Sequence, residues 1–440
     1  MSLRYVSLDR IRRLNALRRS SERQGPARSW QASLPSPDGE PPFHTTPIRC
    51  DPARLSQVLG ATPKTNQYGE YLSVRCWCAQ PPEYSPDLPA LRLVLPDAPD
   101  EIAHAGQWLF LDTETTGLAG GSGTYAFLVG IAWWEGGGLE IEQFFLREYS
   151  EERALLFALR ERIADHPVLV TFNGKSFDWP LLETRYRMSR KISVPTPRAH
   201  LDFLHPARNL WRRRLGSVRL SELERHVLGW DRGTDLLSGL IPQIYFDYLR
   251  GGPPERLVPV LNHNQMDLRG LAALSSRVLS LLSDAESLGQ DGLELFGVSR
   301  ICEKRGEHIR ARKLYEKSIS SILPTETDRV ARRALARLAK REGDYDLACE
   351  LWKDATGNSR HGYEAYEQLA IYYEHKARAP ERALEVVGQA IKELRNALQT
   401  GEIAPGAYRE IRARFDRRME RLERKNRRPL PDSLAIGPQA

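Results

Sequence analysis

From Trp108 to Phe172 the chain carries a pattern that few folds accept. Three apolar runs of strand length (Trp108 to Asp112, Phe127 to Trp134, Leu139 to Leu146) are followed by a helical segment, Glu151 to Ala164, and a fourth apolar run, Val168 to Phe172. Three successive strands form a meander, and a helix before the next strand makes a crossover. The expectation is an α/β mixed sheet with helices on both faces. A helix Trp179 to Met188 and a short strand near Leu201 continue the alternation, and Ser221-Glu222-Leu223-Glu224 reads as a capping box opening a further helix. Ahead of the sheet, a helix near Pro52 to Leu59 and strands at Tyr71 to Cys78 and Leu91 to Leu95 are expected to pack beside it.

Five residues in three separated segments carry the chemistry. Asp112 and Glu114, in LFLDTETTG, stand at i and i+2 of an extended segment and project from one face. His263 and Asp267, in LNHNQMDLRGL, stand at i and i+4 of a segment that continues as a Leu- and Ala-rich helix, so imidazole and carboxylate share a face. Asp178, in TFNGKSFDWPLL, lies between a strand and the next helix, where a loop can aim it at a shared point. Hard cations such as Mg²⁺ and Mn²⁺ take oxygen ligands, and two of them about 3.5–4 Å apart can hold the attacking and leaving oxygens of a phosphodiester. Taken singly, an acid at a strand end is a turn or cap residue, the Asn-Gly before Asp178 is a turn, and a His–Asp pair is surface decoration. The joint order and spacing of the three segments favour a metal-dependent nuclease site.

The order DxE, then D, then HxxxD resembles the DEDD exonucleases of the ribonuclease-H-like superfamily, and DTETTGLAGGSGTYAFLVG, FNGKSFDWPLL and HNQMD resemble its YprB-like branch. The motif-bearing likeness covers about residues 100 to 285. Ribonuclease H itself and the integrases of the superfamily carry a single Asp in the first strand, so the Asp112/Glu114 pair favours the exonuclease branch. The resemblance implies a ribonuclease-H-like fold and a two-metal 3′→5′ exonuclease acting on single-stranded or 3′-ended DNA, in repair, with a helicase as partner. Two divalent cations, Mg²⁺ or Mn²⁺, are implied: Asp112 bridging both, Glu114 and Asp267 completing one site, Asp178 serving the other, and His263 deprotonating the attacking water. One departure stands out: the usual His-type group places its histidine five residues before the last Asp, where this chain has Asn262, whereas His263 is four before, the spacing of the Tyr-type group. RNA is the nearer alternative substrate, since no residue reveals a contact to the 2′-OH. A non-catalytic scaffold gripping nucleic acid is the more distant one.

A formal net charge of +7 suits a polyanionic partner. Lys175 is a candidate for neutralising substrate phosphate. Arg208, Trp211, Arg212, Arg213 and Arg214 interleave guanidinium groups with one indole, as a single-strand channel does, the alternative being a helix surface with Trp211 buried. Gly117, Gly120, Gly121 and Gly123 could approach phosphate or simply turn a hairpin. GKS at 174 to 176 imitates the end of a P-loop, but Leu169 stands where that motif needs Gly, so NTP hydrolysis is not supported. Five dispersed cysteines (Cys50, Cys76, Cys78, Cys302, Cys349) argue against a disulfide framework and for a reducing compartment, the cytoplasm. Cys76-Trp77-Cys78 reads as a strand with alternating thiols rather than a metal site. No run of about 18 apolar residues occurs, so no membrane span is expected.

After about residue 288 the texture changes to Ala, Leu, Glu and Arg at helical spacing. Ala311, Ala348 and Ala383 recur at intervals of 37 and 35 residues, followed by Tyr315, Trp352 and Val387, a period that resembles tetratricopeptide repeats and suits binding of a peptide, a protein partner or DNA. The expected organisation is a basic N-terminal helix and disordered linker (1–48), a nuclease domain (49–286, motif core about 105–285), helical repeats (287–400), and a basic C-terminal helix and tail (401–440). In the last, Ile411, Phe415 and Leu422 line one side of an Arg-rich helix spanning Ala407 to Arg428.

Overall fold

A computed structural model describes residues 51–79, 87–117, 123–233, 235–289, 291–356 and 362–426. The expected N-terminal helix and linker, Cys50, Gly120, Gly121 and the tail after 426 lie outside the described residues.

Trp108–Thr115 (β3), Ala126–Glu135 (β4) and Gly138–Phe145 (β5) form the meander, with β4 antiparallel to both neighbours. Gly136 and Gly137 turn β4 into β5 with φ of 61° and 76°, the left-handed pair a two-residue hairpin needs. Val168–Thr171 (β6) lies parallel to β3, and Ala199–Asp202 (β7) lies parallel to β6. Thr62–Asn66 (β1) and Gly69–Ala79 (β2) extend the opposite edge, giving a seven-stranded mixed sheet in the order β1-β2-β5-β4-β3-β6-β7. The segment expected beside the sheet is therefore part of it: β2 pairs with β5 from Leu72 opposite Phe145 to Ala79 opposite Gly138.

Two of the local expectations fail for identifiable reasons. Leu88–Val94 is a helix, not a strand: Asp87 caps it by accepting from the Ala90 N–H, Pro89 suits its first turn, and Leu91 and Leu93 are buried. Alternating leucines satisfied a period of two, but capping and burial decide. The Ser221 box also does not form. The helix starts at Leu220 without a side-chain cap and winds on as a π turn over Glu224–Leu228, because the Glu224 carboxylate is taken by Arg232 (Nη2 to Oε1, 2.6 Å).

Strand parity sorts the core. Trp108 and Phe110 face one cluster, with Val168, Val170 and Leu201; Leu109 and Leu111 face the other, with Val129, Phe144 and Leu169. The second cluster is covered by helices Glu152–Asp165 and Asp178–Ser189. The first is covered by Leu204–Leu215 and by the long helix Val258–Ser283, whose residues from Leu268 to Leu282 lie in it while Val260 and Leu261 belong to the second cluster.

The first cluster does not stop at the expected nuclease boundary. It runs through Gly292–Lys304 into His308–Ile319, Thr325–Glu342, Tyr345–Thr356 and Tyr363–His375. Each of these helices packs on the next, and Pro380–Gln399 and Pro405–Asn426 complete the array. Ala311, Ala348 and Ala383 are all fully buried, on alternate helices of the array. The Arg-rich final helix buries Phe415 and Leu422, and its Arg418 and Arg421 are drawn onto the buried carboxylate of Glu374. Part of its positive charge is thus consumed in closing the array. Cys76, Cys302 and Cys349 are free cysteines, and among the described residues no helix is long and apolar enough to cross a membrane.

Candidate functional site

Asp112 is the point at which β3 turns polar, and its neighbours across the sheet are Gly130 on β4 and, beyond it, Gln143 on β5. The helix Val258–Ser283 sits directly on this row. Asn264, fully buried, donates from Nδ2 to Asp112 Oδ2 at 2.8 Å and accepts at Oδ1 from Gln143 Nε2 at 2.8 Å. Gly130 makes the approach possible, since a Cβ there would lie 2.0 Å from Asn264 Oδ1. One oxygen of Asp112 is thereby fixed by the protein, which aims the other. Glu114, two residues on, projects from the same face and meets that helix at His263, the residue before Asn264: His263 Nε2 lies 4.0 Å from Glu114 Oε1 and 3.6 Å from Asp267 Oδ2. One ligand atom from each of Glu114, His263 and Asp267 falls within 4.8 Å of the others. Asn262, the five-residue position, is exposed.

Asp178 enters from the other side of β3. Thr113 points opposite to Asp112 and Glu114, and its hydroxyl donates to Asp178 Oδ1 at 2.5 Å. The loop that delivers Asp178 is shaped by Asp202, which accepts from the Asn173 N–H (2.9 Å), the Lys175 N–H (3.0 Å) and the Leu204 N–H (3.1 Å). Asn173 adopts φ 72°, the left-handed conformation that Asn tolerates. Asp202 thus caps the following helix, as one sequence reading had it, and organises the Asp178 loop as well.

Two further residues complete the surroundings. Arg232 pairs with Asp267 Oδ1, with Glu224 and with Asp235 Oδ2 (3.0 Å). Asp235 accepts from His263 Nδ1 at 2.7 Å. Arg232, Asp235, Asn264, Gly130 and Gln143 were invisible to sequence reasoning, which sought ligands. Asn264 lies inside the HNQMD string but leaves no separate signal, because Asn262, His263, Gln265 and Asp267 around it are polar too.

The electrostatics follow from crowding. Asp112 is pushed well above the ordinary carboxylate range, first by burial and then by the charges of Asp267, Asp178 and Glu114, against the Asn264 hydrogen bond. Glu114 is raised to about 8 by burial and by Asp267 and Asp178. Asp178 is raised to about 6 by burial, which outweighs the Thr113 hydrogen bond. Like charges within a few ångströms cannot all ionise without compensation. A set of carboxylate oxygens brought together against their own repulsion has the chemistry of a hard-cation site.

The expected nucleic-acid residues divide. Lys175 is exposed beside the Asp178 loop, and Arg208 and Arg212 are exposed on helix Leu204–Leu215. Trp211 is a correction: it is fully buried, continues the apolar stripe of Leu204, Ala207 and Leu210, and donates its indole N–H to Glu294 at 2.8 Å, so it cannot stack on a base. Arg213 lies over the Phe296 ring at 5.2 Å, and Arg214 pairs with Asp291 at 3.1 Å, so both are engaged with helix Gly292–Lys304 and its cap. Around Gly117 and Gly123 a Cβ would meet nothing within 4 Å, so close packing does not require glycine at either.

Residues 109–279, which contain all five site residues, match the model of the RNase_H superfamily. The protein YprB of Bacillus subtilis (strain 168), described as uncharacterized, is 32% identical over 287 residues, spanning 64% of this chain and 69% of YprB. The family B DNA polymerase from the hyperthermophilic archaeon Pyrobaculum calidifontis aligns with a TM-score of 0.33 at 14% identity, over 47% of this chain and 28% of that one, a likeness too slight to bear on the fold. With the superfamily match over sheet and site, and 32% identity across more than two thirds of YprB, the chain belongs to the YprB-like family of ribonuclease-H-like proteins.

Proposed function

We propose that the chain is a metal-dependent 3′→5′ exonuclease that trims DNA, in the service of repair. A ribonuclease-H-like fold supports a nuclease-type activity, and the observation that carries the finer reading is the gathering of Glu114, His263 and Asp267 within ligand reach of one another, with Asp112 and Asp178 close enough for the carboxylate charges to bear on each other. Divalent cations held by the four carboxylates would supply Lewis-acid activation of the phosphodiester and an acidified water. Asn264 and Arg232 each hold one oxygen of Asp112 and Asp267, fixing where the remaining oxygens point. His263 Nε2 accepts the proton of the attacking water. The new P–O bond forms as the P–O3′ bond breaks, releasing a nucleoside 5′-monophosphate, and solvent protonates the departing O3′. Lys175, exposed beside the Asp178 loop, would neutralise substrate phosphate. The helical array would hold a peptide or protein partner.

The test is direct. End-labelled single-stranded DNA, duplex DNA and RNA are incubated with Mg²⁺ or Mn²⁺. Stepwise shortening of DNA from its 3′ end is the expected result. Preference for RNA would reassign the substrate, and binding without cleavage would leave a nucleic-acid scaffold.

The raised carboxylates give an independent prediction. A group whose folded pKa lies above its unfolded value stabilises the protein below the unfolded pKa and loses that contribution as pH rises through the folded one. Asp178 and Glu114, at about 6 and about 8, therefore make the cation-free protein less stable between pH 5 and 8. A bound cation compensates the charge, so the stabilisation by Mn²⁺ should widen over that window, reaching about 2.7 kcal/mol at a hundredfold excess over Kd. Thermal melts with Mn²⁺ and with EDTA check it, and a shift that ignores pH would count against these acids as ligands.

A further inference from the structure

Resting on the nuclease reading above, we propose that Asp235 is the positioning residue for His263, holding the imidazole by Nδ1 so that Nε2 presents a lone pair between Glu114 and Asp267. A carboxylate can only accept, so the 2.7 Å contact from Asp235 Oδ1 to His263 Nδ1 places the proton on Nδ1. In the neutral ring Nε2 then carries the lone pair, and it is the nitrogen that lies 3.5 Å from the Ser238 hydroxyl, 4.0 Å from Glu114 and 3.6 Å from Asp267. His263 is only 6% exposed, so the ring has little room to adopt another orientation.

Asp235 is itself held on both oxygens. Its Oδ1 also accepts from the Leu236 N–H at 2.7 Å, and its Oδ2 from Arg232 Nη1 at 3.0 Å. The same guanidinium grips Asp267 and is anchored on the buried Glu224, which has room because Gly270 has no side chain: a Cβ there would lie 1.6 Å from Glu224 Oε1. Glu224 opens the π turn, a distortion frequently found at functional sites. The hold on His263 is therefore over-determined by a buried ionic network reaching the site from outside the motif-bearing segments. When Nε2 takes the proton of the attacking water, Asp235 faces the imidazolium that forms, and that proton afterwards leaves to solvent.

The test is Asp235→Asn in the full chain. Its amide can donate to Nδ1 and drive the proton to Nε2, filling the lone pair the reaction needs. The expected result is a kcat lower by about 10- to 100-fold, with KM for the oligonucleotide and the Mn²⁺ midpoint unchanged. Asp235→Glu, which keeps an acceptor, should recover much of the loss. In a His263→Gln background Asp235→Asn should change the rate less than about twofold, because both act through one group. Nitrogen-15 spectra of histidine-labelled protein, with the His263 signal identified by His263→Gln, should show an Nδ1-protonated ring in the wild type and an Nε2-protonated one in Asp235→Asn. A wild-type ring protonated at Nε2, or full kcat in Asp235→Asn, overturns the role while the nuclease reading stands. A wild type that cleaves no substrate while its His263 is Nδ1-protonated brings down the nuclease reading, and this role with it. If Asp235→Asn does not fold, the wild-type spectrum and the Asp235→Glu rate decide.

Discussion

Asp112→Asn should lower the rate of 3′-end trimming by about a thousandfold or more and, in the absence of metal, raise rather than lower the melting temperature at pH 8. Asp112 is the residue on which the charges of Asp267, Asp178 and Glu114 all bear, so its carboxylate is the centre of the repulsion. A metal acting as Lewis acid is worth several kcal/mol in the transition state. At about 1.36 kcal/mol per decade, losing one ligand of the proposed cations would remove roughly three decades or more. The asparagine carbonyl can still accept from Asn264 Nδ2, so the contact that seats the long helix on the Asp112–Gly130–Gln143 row survives. What is removed is a carboxyl group that on folding must either hold charge among like charges or take up a proton, and the relief should appear as added stability in EDTA. Activity and melting measured on one preparation separate the two effects. An inactive variant that also melts lower would mean that Asp112 serves the fold, and an active one would exclude it from the site.

How far the site could be read from the sequence depended on what kind of signal each residue leaves. Asp112, Glu114, Asp178, His263 and Asp267 are acids and an imidazole whose joint order and spacing favour a shared site over unrelated turn and cap residues, so order along the chain was enough to nominate them. Their supports leave no such trace. Gly130 looks like a glycine in a strand until Asn264 is found 2.0 Å from where its Cβ would be, and Asp235 belongs to no motif. Positioning residues are chosen by distance in space, and sequence spacing carries none of that information. The strands from Trp108 to Thr171 were legible because their apolar runs have no other use. Leu91 to Leu95 misled because three alternate leucines satisfy a strand period, while the deciding features were the Asp87 cap and the core beneath. Trp211 misled in the other direction. An indole among arginines suggests a stacking platform, but it follows Ala207 by four residues and Leu204 by seven, which places it on the buried face of its helix.

That helix also supplies the second large effect. Gly297→Val should destabilise the protein by about 3 kcal/mol or more, although replacing glycine inside a helix ordinarily helps. Gly297 lies where helix Gly292–Lys304 crosses helix Leu204–Leu215, and a Cβ there would stand 2.7 Å from the Asn209 carbonyl oxygen and 2.8 Å from Leu210 Cα. Both obstacles are backbone, so the helices must part. Parting them strains the Trp211–Glu294 hydrogen bond and the Arg214–Asp291 pair that close the same interface. Overpacking costs about 1–3 kcal/mol, and a buried indole N–H left without its acceptor adds about 1–3 more. Gly388 is the control. It too is inside a helix, Pro380–Gln399, but a Cβ there meets nothing within 4 Å. Gly388→Ala should therefore gain up to about 1 kcal/mol from helix propensity alone. Urea unfolding of the two variants beside the wild type should move the midpoint in opposite directions. Because one core runs from the sheet through this crossing into the helical array, Gly297→Val should also expose the array to protease ahead of the sheet. Midpoints that move together would show that the crossing can open without cost and that array and nuclease sheet do not depend on each other.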